Sequence, residues 1–177
     1  MGVLKGRWPR AIFYDSKGTL FDWPWTWKQA AEKIVKKYDA DVSGETFLET
    51  WAKFFESYHR RAAAVRYTPV SHLIQLVSKF KAFKPDFVGT TDEAGFHKPH
   101  AKTYFWVLRQ TGLDIRDVLY CAGPTFDCMG AMAVDMVTAQ IRRSGMTRQT
   151  FVPGDVLADY EIDDLHGITE IIKRNRF

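Results

Sequence analysis

Apolar residues recur along this chain with two different periods, and the alternation of those periods outlines a fold. Ala11 to Tyr14 is a short apolar run bounded by Arg10 and Asp15, which predicts a buried strand from about Arg10 to Asp15. Pro24 ends any extension of it. Beyond Pro24, residues Trp27, Ala30, Ala31, Ile34 and Val35 fall at helical spacing and predict a helix over 25–38. Asp39 to Gly44 reads as a turn, with Ser43 as N-cap of a second helix from about Glu45 to Val65. Phe47, Leu48, Trp51, Phe54, Phe55 and Tyr58 stripe that helix, and the stripe reads as core packing rather than a substrate pocket. Tyr67-Thr68-Pro69 closes it, because the residue before a proline is pushed out of helical geometry.

The second half of the chain changes period more often. A further helix is expected over 70–80 and a short strand over Phe87 to Thr91. A helix follows from about His100 to Thr111, with Gly112 as its stop. Strands are predicted at Val118 to Ala122 and Met136 to Ile141, with a helix beginning near Phe126 and Asp127 between them. Arg142-Arg143-Ser144-Gly145 reads as exposed. A last short strand, Asp159 to Ile162, leads to a terminal helix, Leu165 to Arg174, which Asp163 or Asp164 caps. This alternation predicts an α/β fold, a Rossmann-like parallel sheet with helices on both faces. No repeat and no low-complexity segment interrupts it.

The 177 residues suffice for one domain of ordinary size with a small insertion, and 46% hydrophobic against 26% charged residues reads as soluble and globular. The net charge of +4 is spread out, with Lys33, Lys36, Lys37, Arg60, Arg61 and Arg66 on predicted helices as solvated faces. No recognised nucleic-acid module accompanies the charge, so no nucleic-acid partner is expected. Cys121 and Cys128 are too few for a secreted disulfide scaffold, which favours a reduced, cytoplasmic protein. The first ten residues lack the apolar core of a signal peptide, and no apolar run approaches the roughly 20 residues of a membrane span.

The candidate chemistry begins where the first strand ends, at Asp15-Ser16-Lys17-Gly18-Thr19-Leu20. A carboxylate at the carboxyl end of a buried parallel strand sits in the crevice where open α/β sheets bind ligands. Gly18 lets the chain turn beside it, and Thr19 brings a hydroxyl back toward it. This is a way to mount a carboxylate nucleophile that forms a covalent aspartyl intermediate. Two later places can reach the same crevice: Lys98, in Lys-Pro before a helix, and Asp127, after the Leu119-Tyr120-Cys121-Ala122 strand. The five histidines are scattered without metal-ligand spacing and read as structural or exposed. Cys121 reads as a small buried residue.

Asp15, Gly18, Thr19 and Leu20 resemble the first motif of the haloacid dehalogenase superfamily. Gly95-Phe96-His97-Lys98-Pro99 resembles its third motif, and Leu119 to Ala133 its fourth, so the resemblance spans roughly 11–172. It implies a core domain of residues 1–22 and 81–177 with a reduced helical cap at 23–80. It also implies Asp15 as nucleophile, Lys98 as the cation beside it, and Asp127 as the acid that positions Lys98 or the hydrolytic water. Lys17, Thr19 and Ser16 become the groups that hold a small anionic substrate.

The sequence departs from the superfamily's phosphatases, which carry an acid where Lys17 stands and an acidic start to the fourth motif where Ala122 stands. Magnesium needs several oxygen ligands in near-octahedral array, so no tightly held metal is expected. The 2-haloacid dehalogenase branch has the same losses, and the resemblance therefore implies a hydrolase of that type. The alternatives are a magnesium-dependent phosphatase of small esters and a catalytically silent fold or binding protein. The superfamily's second motif, a strand ending in Ser or Thr, is not recognisable. Ser71, Ser78, Thr90 and Thr91 are candidate substitutes for its hydroxyl. Loss of that strand leaves an open edge, which predicts either a homodimer filling the gap or a rearranged sheet with Phe87 to Thr91 beside the first strand.

Overall fold

The computed structural model describes residues 8–16, 18–20, 23–64, 85–143 and 158–175. Its centre is a four-stranded parallel sheet in the order β1-β2-β3-β4. The strands are β1 (Ala11–Tyr14), β2 (Val118–Ala122), β3 (Val137–Ile141) and β4 (Tyr160–Ile162). Ala11 pairs with Val118, Leu119 with Val137, and Ala139 with Tyr160. Every residue of β2 and β3 is buried, as expected of central strands covered on both faces.

Side chains alternate across the sheet. Val118, Tyr120 and Ala122 point into one core with Tyr104, Leu108, Cys128 and Ala131. These come from α4 (Ala101–Thr111) and α5 (Thr125–Met132). Leu119, Cys121, Val137, Ala139 and Ile141 form the other core with Ile168 and Ile171 of α6 (His166–Arg174). The buried Thr138 of β3 is satisfied locally. Thr138 is matched by Asp159, whose carboxylate accepts from both the Thr138 N–H and its hydroxyl.

The caps follow the sequence. His100 Nδ1 accepts from Lys102 N–H at the start of α4, and Gly112 ends it at φ 65°. Asp164 accepts from the His166 and Gly167 N–H groups at the start of α6. After β1 come α1 (Trp23–Lys37) and α2 (Gly44–Ala64), which pack together through an edge-to-face pair of Trp27 and Trp51. Ser43 Oγ accepts from Thr46 N–H, as the predicted cap requires. The expected core role of the α2 stripe fails at Phe54, which is 74% exposed. No helix among the described residues is long and apolar enough to cross a membrane.

One predicted element is of the wrong type. Phe87 to Thr90 form no strand, and Thr91–Ala94 is instead a single helical turn, α3. Thr90 Oγ1 accepts from Glu93 N–H while Glu93 accepts from Thr90 N–H, a reciprocal capping box that overrides the β preference of the apolar residues. The rearranged sheet is therefore not formed, and β1 is an edge of the described sheet. A short 3₁₀ turn, Ile115–Asp117, capped by Asp114, was not foreseen either. The helix expected over 70–80 lies outside the described residues.

Candidate active site

The carboxyl ends of β1 and β2 lie side by side, and everything in the site hangs from them. Asp15 N–H still donates to Cys121 O at 2.9 Å, so the backbone ladder fixes the nucleophile candidate one residue past its strand. Gly18 then turns the chain at φ 76°, and the Thr19 and Leu20 N–H groups bond back to Ser16 O. This brings Thr19, fully buried, under Asp15. Its hydroxyl donates to Asp15 Oδ2 at 2.9 Å and accepts from Gly123 N–H at 2.7 Å.

Lys98 reaches the same carboxylate from the loop before α4, with Nζ 2.5 Å from Asp15 Oδ1. The same ammonium donates to Asp127 Oδ2. Asp127 stands in the first turn of α5 with its side chain 1% exposed, and Tyr104 Oη donates to its backbone carbonyl at 2.9 Å. Its carboxylate therefore serves Lys98 and does not cap its helix, which carries no side-chain cap. Asp127 Oδ1 is buried without a hydrogen-bond partner among the described residues.

The electrostatics follow from two carboxylates sharing one cation. Burial opposes the charge on Lys98, but the Asp127 and Asp15 carboxylates outweigh it and hold the ammonium well above the ordinary lysine range. Burial pushes the Asp127 carboxyl up to about 7, with Lys98 opposing and Asp15 adding to the rise. Cys121 is pushed up to about 12, first by burial and then by Asp15, so it stays a thiol.

Of the predicted site residues, Asp15, Thr19, Lys98 and Asp127 meet in one cluster. Ser16 contributes its backbone carbonyl to the turn, and Lys17 lies outside the described residues. Thr90, a candidate for the missing second-motif hydroxyl, donates that hydroxyl to Glu93. Thr91 begins α3, and Ser71 and Ser78 lie outside the described residues.

No family profile matches this chain, and no curated protein matches it. Solved structures do. A defluorinating L-2-haloacid dehalogenase superposes with a TM-score of 0.77 at 16% identity, covering 98% of each chain. The L-2-haloacid dehalogenase of Xanthobacter autotrophicus gives 0.66 at 16%, over 93% of this chain and 98% of that one. A HAD phosphatase from Thermococcus onnurineus gives 0.55 at 18%, over 94% and 99%. This chain has the haloacid dehalogenase fold. The two strand-end segments that carry Asp15 and Asp127 and the loop that carries Lys98 meet at one place in it.

The donor set of this haloacid dehalogenase fold suits an ammonium rather than magnesium. Asp15 Oδ1 and Asp127 Oδ2 are both turned to Lys98, and the next strand end offers Ala122 instead of a third carboxylate.

Two residues at this site escaped the sequence reading. Arg143, expected to be exposed, is half-buried and donates from Nη1 to Gly18 O at 3.0 Å and from Nη2 to Thr19 O at 2.5 Å. Gln140, 4% exposed, donates from Nε2 to Gly123 O at 3.2 Å and to Thr125 Oγ1 at 2.9 Å. Their one sequence signal is position, at or just past the carboxyl end of a parallel strand, where open α/β sheets gather their sites.

Proposed function

We propose that this chain is a metal-independent hydrolase of the 2-haloacid dehalogenase type, with a 2-halo carboxylic acid as substrate. The observation that carries the reading is the single ammonium of Lys98 shared between Asp15 and Asp127. It orients Asp15 without a divalent cation. One Asp15 oxygen attacks the halogen-bearing carbon, the carbon–halogen bond breaks, and halide leaves with its electron pair. Halide needs no proton, so a general acid at the place of Lys17 is unnecessary.

The ester then reacts with water. Water adds to the Asp15 carboxyl carbon, the tetrahedral adduct expels the 2-hydroxy acid, and one proton is released. Asp127 Oδ1 is the acceptor that fits this step, because it has no hydrogen-bond partner among the described residues and belongs to a carboxyl raised toward neutrality. The test is halide release from short 2-chloro and 2-bromo acids by wild type and Asp15→Asn. Release that disappears in the variant supports the reading, and release that persists removes Asp15 from its role.

A second reading, a haloacid dehalogenase fold without activity, is favoured by the second-motif hydroxyl, which none of the described candidates supplies. Wild-type protein that releases no halide from any such acid supports that reading.

A further inference from the structure

The loop that carries Gly18 and Thr19 has an exacting task. The Thr19 hydroxyl must meet Asp15 Oδ2 on one side and Gly123 N–H on the other, at 2.9 and 2.7 Å. The two loops touch through backbone, since a Cβ on Gly123 would lie 2.4 Å from Gly18 O. Among the described residues the local turn bonds run from the Thr19 and Leu20 N–H groups back to Ser16 O. The Gly18 and Thr19 carbonyls are both taken by one guanidinium, from 125 and 124 residues away.

That guanidinium comes from just past a buried strand. Arg143 follows β3, a strand buried between β2 and β4. Its neighbour Arg142 pairs with Glu161 at the surface, so the two arginines face different ways. Gln140, in the same strand end, holds Gly123 O. Both walls of the Thr19–Gly123 contact are thus held from the carboxyl end of β3. Two parallel N–H donors on adjacent carbonyls require the planar fork of arginine, which the single ammonium of lysine does not reproduce.

We propose that Arg143 is a positioning residue for the nucleophile. By fixing the Gly18 and Thr19 carbonyls it sets the Thr19 hydroxyl, and through that hydroxyl the attack orientation of Asp15. This inference rests on the reading of Asp15 as the nucleophile.

The test uses the full chain as wild type, Arg143→Ala, Arg143→Lys and the control Arg142→Ala. Halide release is followed with and without millimolar guanidinium. The expected result for Arg143→Ala is a kcat lowered by roughly tenfold to a hundredfold, the scale of a small misplacement of a reacting group, with KM close to wild type. Added guanidinium recovers part of it, Arg143→Lys falls between, and Arg142→Ala matches wild type. Wild-type kcat in Arg143→Ala overturns the proposal, as does a loss that guanidinium does not touch. If Arg143→Ala does not fold, Arg143→Lys carries the test, with a smaller kcat loss at constant KM expected and wild-type kcat overturning the proposal. If the wild type releases no halide, the functional reading fails separately. The clamp is then read from amide exchange by NMR. Faster exchange at Leu20 and Gly123 in Arg143→Ala, slowed again by guanidinium, supports it, and unchanged exchange overturns it.

Discussion

Lys98 lies 83 residues beyond Asp15 in the chain, yet its Nζ stands 2.5 Å from Asp15 Oδ1. The same ammonium also satisfies Asp127, and these carboxylates are only 8% and 1% exposed. Removing the cation leaves two buried carboxyl groups without their shared donor. Lys98→Met is therefore expected to lose about 3–5 kcal/mol of stability in urea unfolding at neutral pH, the cost of breaking a buried pair on one side. The loss should shrink in acid, because a protonated Asp127 no longer needs a cation. Equal loss at neutral and acid pH contradicts the shared-cation account.

The raised Asp127 carboxyl makes two pH effects. Its folded-state value of about 7 lies above the ordinary 3.8, so between those values the folded protein binds more protons than the unfolded chain. Stability contributed by this group is present below the ordinary value and falls as pH rises through about 7. Hydrolysis of the ester needs the deprotonated form, so that half-reaction should rise over the same range. Asp127→Asn should flatten the stability profile and accumulate the ester adduct, visible by intact mass. An adduct that turns over at the wild-type rate removes Asp127 from the hydrolytic step.

Thr19 joins the nucleophile to the second loop. Thr19→Val keeps the shape but removes the hydroxyl, leaving the buried Gly123 N–H unpaired at a cost of about 1–3 kcal/mol. Gly123→Ala should be worse, because the added carbon meets the Gly18 carbonyl at 2.4 Å and backbone must move. Thermal unfolding and halide release on both variants check this order. A Gly123→Ala protein as stable and active as wild type contradicts the close contact of the loops.

Metal dependence separates the dehalogenase reading from a phosphatase. With both carboxylates engaged by Lys98, a chelator should leave halide release unchanged and magnesium should not raise it. Phosphate-ester hydrolysis that appears only with magnesium favours the phosphatase instead.

Sequence alone revealed the parts of this fold that depend on local rules. The apolar runs at Ala11–Tyr14, Val118–Ala122 and Met136–Ile141 announced the sheet, although β1 is only half-buried, and Ser43, Gly112 and Asp164 announced helix ends. Asp15, Lys98 and Asp127 were legible because each follows or precedes an element whose period is clear. Phe87 to Thr91 misled because a four-residue capping box competes with an apolar run, and side-chain hydrogen bonds decided the contest. Arg143 was hidden for another reason: an arginine after a strand looks solvated until the loop it clamps, more than a hundred residues earlier, is folded against it.

The central claim is that Asp15 forms and loses an ester. The most direct measurement is mass spectrometry of the protein after multiple turnovers of a 2-halo acid in heavy-oxygen water. The account predicts heavy oxygen in the peptide containing Asp15, and none there in Asp15→Asn. Halide release without label at Asp15, with the heavy oxygen found only in the product acid, contradicts it.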